Sequence, residues 1–594
     1  MGSPLRGYRF FFTPYWRNNT LIELCVVVLS YGKAELLRAC LEALRHQTVQ
    51  ASEVIVVVCG ASDATRAMLD SFVSRFRLRV IWQIGSSPGA ARNRAVEATA
   101  AHYCLFLDDD VIADSRLVAE HLRVQRQGPG VAGLGQLIAR LPPSADGFAR
   151  YVAQEWDHHT RLQEGAQAPS CADCSSANLS VPRLALLKAG GFVDSSGAEL
   201  GYRLERQGLS FVHIPEAIGH RDYRKGFREV ATDAERAGAA SIELYAQQPH
   251  MLPYLQLGAF YDMSRKAILL RRLLLTLGVP GRALAMAGLL LGKGSWAGAW
   301  YRFVHSYCYW RGVRRAVPDR DTWQRLTRSP VILMYHAFGK PGEPSSRYVI
   351  PGRRFARQMA WLKWRGYHVL GLEEFLRDRC EYRLPPARSV ILTFDDGYAD
   401  NRAVAYPILR RYGFPATIFL VSGGVGDVNR WDSDGELAGR PLLSWSDVRA
   451  LLHGGVRFGA HTQSHVALTA VSPDRMKDEV EGSRAELERA LGVPIFTFAY
   501  PHGELDAAVQ AAVEDAGFLG ACSCHTGVND PIVPSHALRR VEVRGAGSFI
   551  RFALALWLGI PGQSQFYRRN GGQAQAGPRV RGALDKEATD GNQP

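Results

Sequence analysis

Short apolar runs alternate with segments of helical spacing twice along this chain, and nothing else constrains its fold as strongly. Between residues 20 and 110, the runs Glu23–Leu29, Val54–Val58, Val80–Trp82 and Tyr103–Leu107 read as strands, with helical patterns such as Leu36–Leu44 between them. From Val331 the alternation restarts with Val331–Met334, Ser389–Leu392, Ala416–Leu420, Val456–Ala460 and Ile495–Ala499. Strands that alternate with helices build βαβ units around mainly parallel sheets. Active sites on such sheets lie at the carboxyl ends of the strands. The fold class is therefore α/β, in two separate domains.

The segment between them differs. Ala267–Leu270 and Leu273–Leu275 flank Arg271-Arg272, and Pro280-Gly281 precedes the apolar stretch Ala283–Gly292. The apolar runs stop at Arg282 and Lys293, short of the ~20 residues a spanning helix needs. Trp296, Trp300, Tyr301 and Trp310 then interleave with Arg302, Arg311, Arg314 and Arg315. Such a mixture fits a helix lying in a membrane interface or helices packed on the neighbouring domain. The chain has 71 Lys+Arg against 57 Asp+Glu, a net charge of +14, which suits an anionic partner such as a membrane surface or a nucleotide. Zinc-finger spacing and an aromatic RNA-binding signature are missing, so nucleic acid is not an expected partner. Phe10–Phe12 is too short for a signal-peptide core, and the ten cysteines do not form a secreted disulfide pattern. The expected location is cytoplasmic, with peripheral contact at the inner face of the cell membrane. The expected organisation is an arm (1–19), a first domain (20–250), a helical connector (251–327), a second domain (328–560) and a disordered tail (561–594).

Tyr103–Leu107 runs straight into Asp108-Asp109-Asp110. Carboxylates this close repel one another unless a cation lies between them, and hard oxygen ligands suit Mg²⁺ or Mn²⁺ with substrate phosphate. Val26–Tyr31, Pro88–Asn93, Asp108–Asp110, Ser176–Ser180, Gly190–Phe192 with Leu200–Leu204, and Pro215–His220 follow one another in an order that resembles the family 2 glycosyltransferases of GT-A fold. The resemblance implies transfer of a sugar from a nucleotide-sugar donor to a glycan or lipid-linked acceptor. It implies Ser30, Arg92, Asn93, Asp108 and Asp110 on the donor side, Asn178 on the acceptor side, and Asp108, Asp110 and His220 as ligands of Mg²⁺ or Mn²⁺. Two departures stand out. Val58-Cys59 occupies the place of the family's nucleobase Asp, and Ser195–Glu199 leaves Glu199 as the sole nearby candidate base.

Ile391–Phe394 runs into Asp395-Asp396, and His461-x-x-x-His465 follows the run Val456–Ala460. Two imidazoles at that spacing can converge on one ion, and a carboxylate completes a His₂-carboxylate set with an open position for water. Thr393–Gly397, His461–His465 and Phe498–Gly503 resemble the motifs of the polysaccharide deacetylases of NodB-homology type (carbohydrate esterase family 4), and Met334–His336 resembles an opening strand of that family. The resemblance implies a distorted (β/α) barrel. It implies Asp396, His461 and His465 as ligands of Zn²⁺ or a similar ion, Asp395 as the base, and the backbone N–H of His502 as an oxyanion donor. The family's late motif carries a His, but Leu538–Val543 has none, so His336 is the candidate acid. The leading expectation is a bifunctional enzyme of bacterial glycan synthesis. The alternative is a deacetylase whose first half only binds a sugar or nucleotide.

Overall fold

The expected strands form two sheets in a computed structural model that describes residues 23–558 apart from 61–62, 84, 129, 142–149, 152–168, 194–196, 223–225, 282, 285–296, 341 and 433–434. The arm 1–19, the tail 561–594 and most of the apolar stretch Ala283–Gly292 lie outside the described residues. The chain divides into two compact units. The first reaches Thr232 and includes Pro280–His305; the second comprises Asp233–Val279 and the described chain from Ser306 onward. The segment 251–327 is thus shared between the units.

The first unit holds β1 (Leu24–Ser30), β2 (Glu53–Val58), β3 (Arg77–Trp82), β4 (Tyr103–Asp108), β5 (Val111–Ala113), β6 (Val131–Arg140), β7 (Asn178–Pro182) and β8 (Ser210–Asp222). Their order is β3-β2-β1-β4-β7-β6-β8-β5. The β3-β2-β1-β4 half is parallel, whereas β7 runs antiparallel to both β4 and β6. β1 and β2 are buried along their whole length, and the helix Ala34–Arg45 lays Leu37, Cys40, Leu41 and Leu44 into the same core. That i, i+3, i+4, i+7 spacing is one helix face, and each fully buried aliphatic side chain contributes about 1.5–3 kcal/mol. The helix Pro88–Ala98 starts at Ser87, whose hydroxyl accepts the Ala90 N–H, with Pro88 in the first turn. This cap sets the helix that carries Arg92.

The second unit holds β9 (Val331–Tyr335), β10 (Ala337–Gly339), β11 (Val349–Pro351), β12 (His368–Leu370), β13 (Ser389–Phe394), β14 (Thr417–Leu420), β15 (Arg457–Ala460), β16 (Thr497–Ala499), β17 (Gly520–Cys522) and β18 (Arg540–Glu542). Parallel pairing runs β17-β16-β15-β14-β13-β9-β18, with β12 also on β13, and β10 and β11 pair apart. A parallel bridge from Cys522 to Leu538 brings the two ends together into a nearly closed (β/α) barrel. β13 is buried throughout, so Asp395 and Asp396 follow directly from the barrel wall.

Within this unit the aromatic-basic segment is packed. Trp310 and Tyr307 are fully buried. The buried Arg271 guanidinium lies 4.4 Å from the Phe260 ring centre and 5.6 Å from that of Trp310, and donates to Ser306 Oγ. Tyr261 N–H donates to Asp530 Oδ2 at 2.8 Å, joining this segment to the barrel's late loop. The helix Arg265–Leu277 buries Ile268, Arg271 and Leu275 but leaves Leu269, Leu270, Leu273 and Leu277 exposed. No helix among the described residues is long and apolar enough to cross a membrane.

Candidate active sites

In the barrel, Asp396, His461 and His465 converge from the ends of β13 and β15. Asp396 Oδ1 is 3.4 Å from His461 Nε2 and 3.2 Å from His465 Nε2. Among the described residues, these three are the only group of three or more His, Cys, Asp or Glu whose ligand atoms all lie within 4.8 Å of one another, and all are buried. The Nδ1 of His461 lies 2.7 Å from the Ala499 carbonyl. A carbonyl only accepts, so Nδ1 carries a proton, and Nε2 is the nitrogen turned toward Asp396. The loop with both imidazoles is pinned by Glu479, which accepts from the N–H groups of Gln463 and Ser464 and from the Ser464 hydroxyl. Asp396, Thr462, His465 and His502 all have positive φ, between 57° and 71°. Each such conformation costs about 1–3 kcal/mol in a non-glycine residue, so the surrounding contacts hold the site in this form.

Asp395 stands beside this cluster, clamped by a residue the motif reading passed over. Arg540 Nη1 and Nη2 donate to Asp395 Oδ1 and Oδ2 at 2.6 and 2.8 Å, and both side chains are buried. Arg540 Nε donates to the Ser523 carbonyl, which fixes the fork. Burial alone would raise the Asp395 carboxyl, but Arg540, His461 and His336 outweigh it and hold it below the ordinary carboxylate range. Burial also opposes ionisation of Asp396, yet the hydrogen bonds to His461 and His465 push it well below that range. Burial disfavours charge on His461 as well, but Asp396 and Asp395 prevail and raise it. His336 is close enough for its charge to act on both aspartates, with its ring 4.9 Å from that of Tyr348. The His502 and His465 rings lie 4.9 Å apart, and Trp431 stacks on His465 at the same separation. A sequence signal for Arg540 existed: an arginine within a barrel strand must find a buried anion.

In the first unit, β4 delivers Asp108, Asp109 and Asp110 as a group, and each accepts a hydrogen bond from a side chain of the same unit. Arg92 Nη2 donates to Asp108 Oδ1 at 3.0 Å. Arg221 donates through Nη2 to Asp108 Oδ2 at 3.2 Å and through Nε to Asp110 Oδ2 at 2.9 Å. Ser30 Oγ donates to Asp109 Oδ2 at 2.7 Å, while burial raises the Asp109 carboxyl. Asp110 Oδ1 is buried without a hydrogen-bond partner. His220, the expected third ligand, is not brought to this group. It is the neighbour of Arg221 on β8, where successive side chains alternate, and the nearby charges acting on it are Arg140 and Asp114.

Three other expected residues are committed to internal contacts. Asn178 donates to the carbonyls of Gln136 and Ala217, and its Oδ1 meets His121 Nε2 at 2.9 Å, so the amide ties three strands together. Asn93 exchanges two hydrogen bonds with the Phe192 backbone, at 2.7 and 2.8 Å. Glu199 is buried, and both its oxygens take a hydrogen bond from Arg203 at 2.7 Å, one turn along the same helix. Cys171 and Cys174 are both buried free thiols.

Comparison with known proteins bears on both units. Residues 25–178 match the glycosyl transferase family 2 profile, and residues 383–521 match the polysaccharide deacetylase profile. The Bacillus subtilis (strain 168) protein YxkH, named as a polysaccharide deacetylase, is 26% identical over 234 residues, 39% of this chain and 78% of its own. The poly-beta-1,6-N-acetyl-D-glucosamine N-deacetylase of Staphylococcus aureus (strain MRSA252) is 25% identical over 204 residues, 33% of this chain and 68% of its own. A solved structure of the Streptococcus pyogenes deacetylase PplD in complex with acetate shares 26% identity, covering 37% of this chain and 94% of that one, with a TM-score of 0.32.

Proposed function

We propose that this chain, which joins a glycosyltransferase family 2 domain to a polysaccharide deacetylase domain, transfers a sugar from a nucleotide donor to a glycan acceptor and hydrolyses N-acetyl groups from an N-acetylated sugar. The observation that carries the second activity is the Asp396, His461 and His465 cluster beside the clamped Asp395. Its donor set of two imidazole nitrogens and one carboxylate fits a divalent ion, and Zn²⁺ suits it best. Such an ion would supply Lewis acidity, activating water and stabilising negative charge on the acetyl oxygen. The chain's own groups do the rest. Asp395, kept ionised by Arg540, accepts the proton of the attacking water. The His502 N–H donates to the developing oxyanion, and His336 returns a proton to the leaving amine. A carboxylate held below its ordinary range is a weak base, so the water it serves must itself be acidified.

In the first unit, Asp108 and Asp110 would hold Mg²⁺ or Mn²⁺ against the donor diphosphate, with Ser30 and Arg92 supporting the cluster. The orphaned buried oxygen of Asp110 favours an added cation there. An N-acetylhexosamine donor is the economical choice, since the acetyl group carried in by one activity is then removed by the other. One chain bearing both activities presents the product of one at high effective concentration to the other. We also propose that the exposed leucines of the helix Arg265–Leu277, next to the exposed Lys266, rest on an anionic membrane from the cytoplasmic side.

The engagement of Glu199 by Arg203 favours a second reading, in which the first unit binds a sugar nucleotide without turning it over. A donor screen that measures free nucleoside diphosphate and free acetate together separates the two. Bifunctionality predicts that Asp108→Ala and Asp110→Ala abolish transfer and leave acetate release from a supplied substrate unchanged. Acetate release without nucleoside diphosphate from any donor supports the second reading.

A further inference from the structure

Two of the first unit's three strand-end carboxylates already meet cations from within the chain. Arg221 spans Asp108 and Asp110 with two hydrogen bonds of 3.2 and 2.9 Å, and Arg92 takes the other oxygen of Asp108. Of the four oxygens on these two residues, Asp110 Oδ1 alone is without a partner. Two carboxylates and two guanidiniums balance in charge. A divalent ion added to that arrangement would set four positive charges against three carboxylates, Asp109 included, with both forked contacts of Arg221 in its way. Arg221 lies near the end of β8, on the opposite strand face from His220.

We propose that Arg221 is a built-in counter-cation that the divalent ion must displace from Asp108 and Asp110. This rests on the reading of those aspartates as the metal site. Displacement frees both Oδ2 atoms, and with the orphaned Asp110 Oδ1 this leaves three oxygens for the ion. The released guanidinium then adds positive charge beside the ion, where the ligand class that accepts it is an anionic diphosphate. Arg221 is thus a positioning residue. It holds the carboxylates in place before loading, and it sets how tightly the metal binds in the absence of donor.

The test is a Mn²⁺ titration of the full-length chain, with free ion counted by electron paramagnetic resonance and no nucleotide present. The relevant signal is the binding lost in the Asp108→Asn/Asp110→Asn double variant, which removes any contribution from the barrel site. Arg221→Gln should bind Mn²⁺ at this site about tenfold more tightly than the parent, the effect of removing one close unit charge. Arg221→Lys retains the charge but loses the two-carboxylate fork, so it should gain about threefold, and it carries the test if the glutamine variant fails to fold. Equal affinities in the parent and both variants, all abolished by the double substitution, would refute displacement while upholding the metal site. A gain in Arg221→Gln with none in Arg221→Lys would mark simple charge repulsion and also overturn the proposal. Mn²⁺ binding that the double substitution leaves intact in every form would reject the metal site itself.

Discussion

Arg540 and Asp395 are separated by 145 residues, yet meet through two parallel hydrogen bonds of 2.6 and 2.8 Å inside the barrel. A buried bidentate pair of this kind fixes both the charge and the orientation of the carboxylate. Removing its cation strands an uncompensated buried anion. Arg540→Met should therefore destabilise the chain by about 3–5 kcal/mol. Arg540→Lys should be milder in stability but still release Asp395 toward higher pKa, because an ammonium cannot replace the fork. The acid limb of the rate profile for acetate release should then move to higher pH, and the rate should fall about 10²-fold. Metal content should be unchanged. An unshifted acid limb in Arg540→Lys would show that the clamp does not set the ionisation of Asp395.

Asp395 and Asp396 are adjacent but should fail differently. Asp396→Asn replaces the carboxylate of the ligand cluster with a neutral amide, so metal stoichiometry should drop, as it should in His461→Ala and His465→Ala. Asp395→Asn should retain the metal and lose turnover by at least about 10²-fold, the contribution of a positioned base. Chelation should abolish acetate release, and Zn²⁺ or Co²⁺ should restore it. Metal analysis and acetate release on each purified variant check both. The reverse pattern would exchange the two roles.

Asp530 should oppose stability at neutral pH. It is buried with Tyr261 N–H and the Ser329 hydroxyl as donors, but burial prevails and pushes its carboxyl up to about 6. A carboxyl raised in the folded state stabilises the fold at low pH, and that contribution is lost as pH rises through about 6. The loss amounts to about 3 kcal/mol for a carboxyl raised this far. Asp395 and Asp396 have the opposite sign, since carboxyls held low stabilise at neutral pH and lose their contribution in acid. Asp530→Asn keeps an acceptor for Tyr261 and removes the charge. Denaturant midpoints of the second unit's transition at pH 5 and 7.5 should show the variant gaining on the parent at the higher pH. Identical pH dependence in both chains would rule out Asp530 as the source.

The leucine face of Arg265–Leu277 should bind anionic vesicles reversibly. Leu273 and Leu277 are 55% and 67% exposed, more than a satisfied packing face would leave. Leu273→Ser/Leu277→Ser should weaken binding about tenfold by removing apolar area, and salt should weaken the parent by screening the basic residues. Flotation with vesicles containing phosphatidylglycerol, compared with neutral vesicles, measures both effects. Equal binding of parent and double variant would remove this face from the contact.

The barrel site was the more legible because its signals are local. Asp395 and Asp396 follow a buried strand, and His461 and His465 lie four positions apart in one loop, so a short stretch of sequence carries each candidate ligand. The glycosyltransferase side was harder to read. Asn93 and Asn178 occur where donor and acceptor contacts are expected, yet each has its hydrogen bonds taken by backbone or a buried histidine. An amide reads the same in sequence whether it faces a ligand or braces a strand, because its partners come from distant segments.

By itself, the sequence determined the α/β alternation, the carboxylates at strand ends and the pairing of imidazoles, because periodicity and spacing act over a few residues. Tertiary structure alone decided which cation each carboxylate meets. Arg221 reaches Asp110 across 111 residues, and it does so in place of His220 because β8 presents alternate residues to opposite faces. Its pairing with β6 also shifts register, from Gly135 opposite Ile214 to Gln136 opposite Ile218. A one-residue change in that shift would turn His220 toward the aspartates and Arg221 away. Strand adjacency and register are properties of the assembled sheet, so no local pattern contains them.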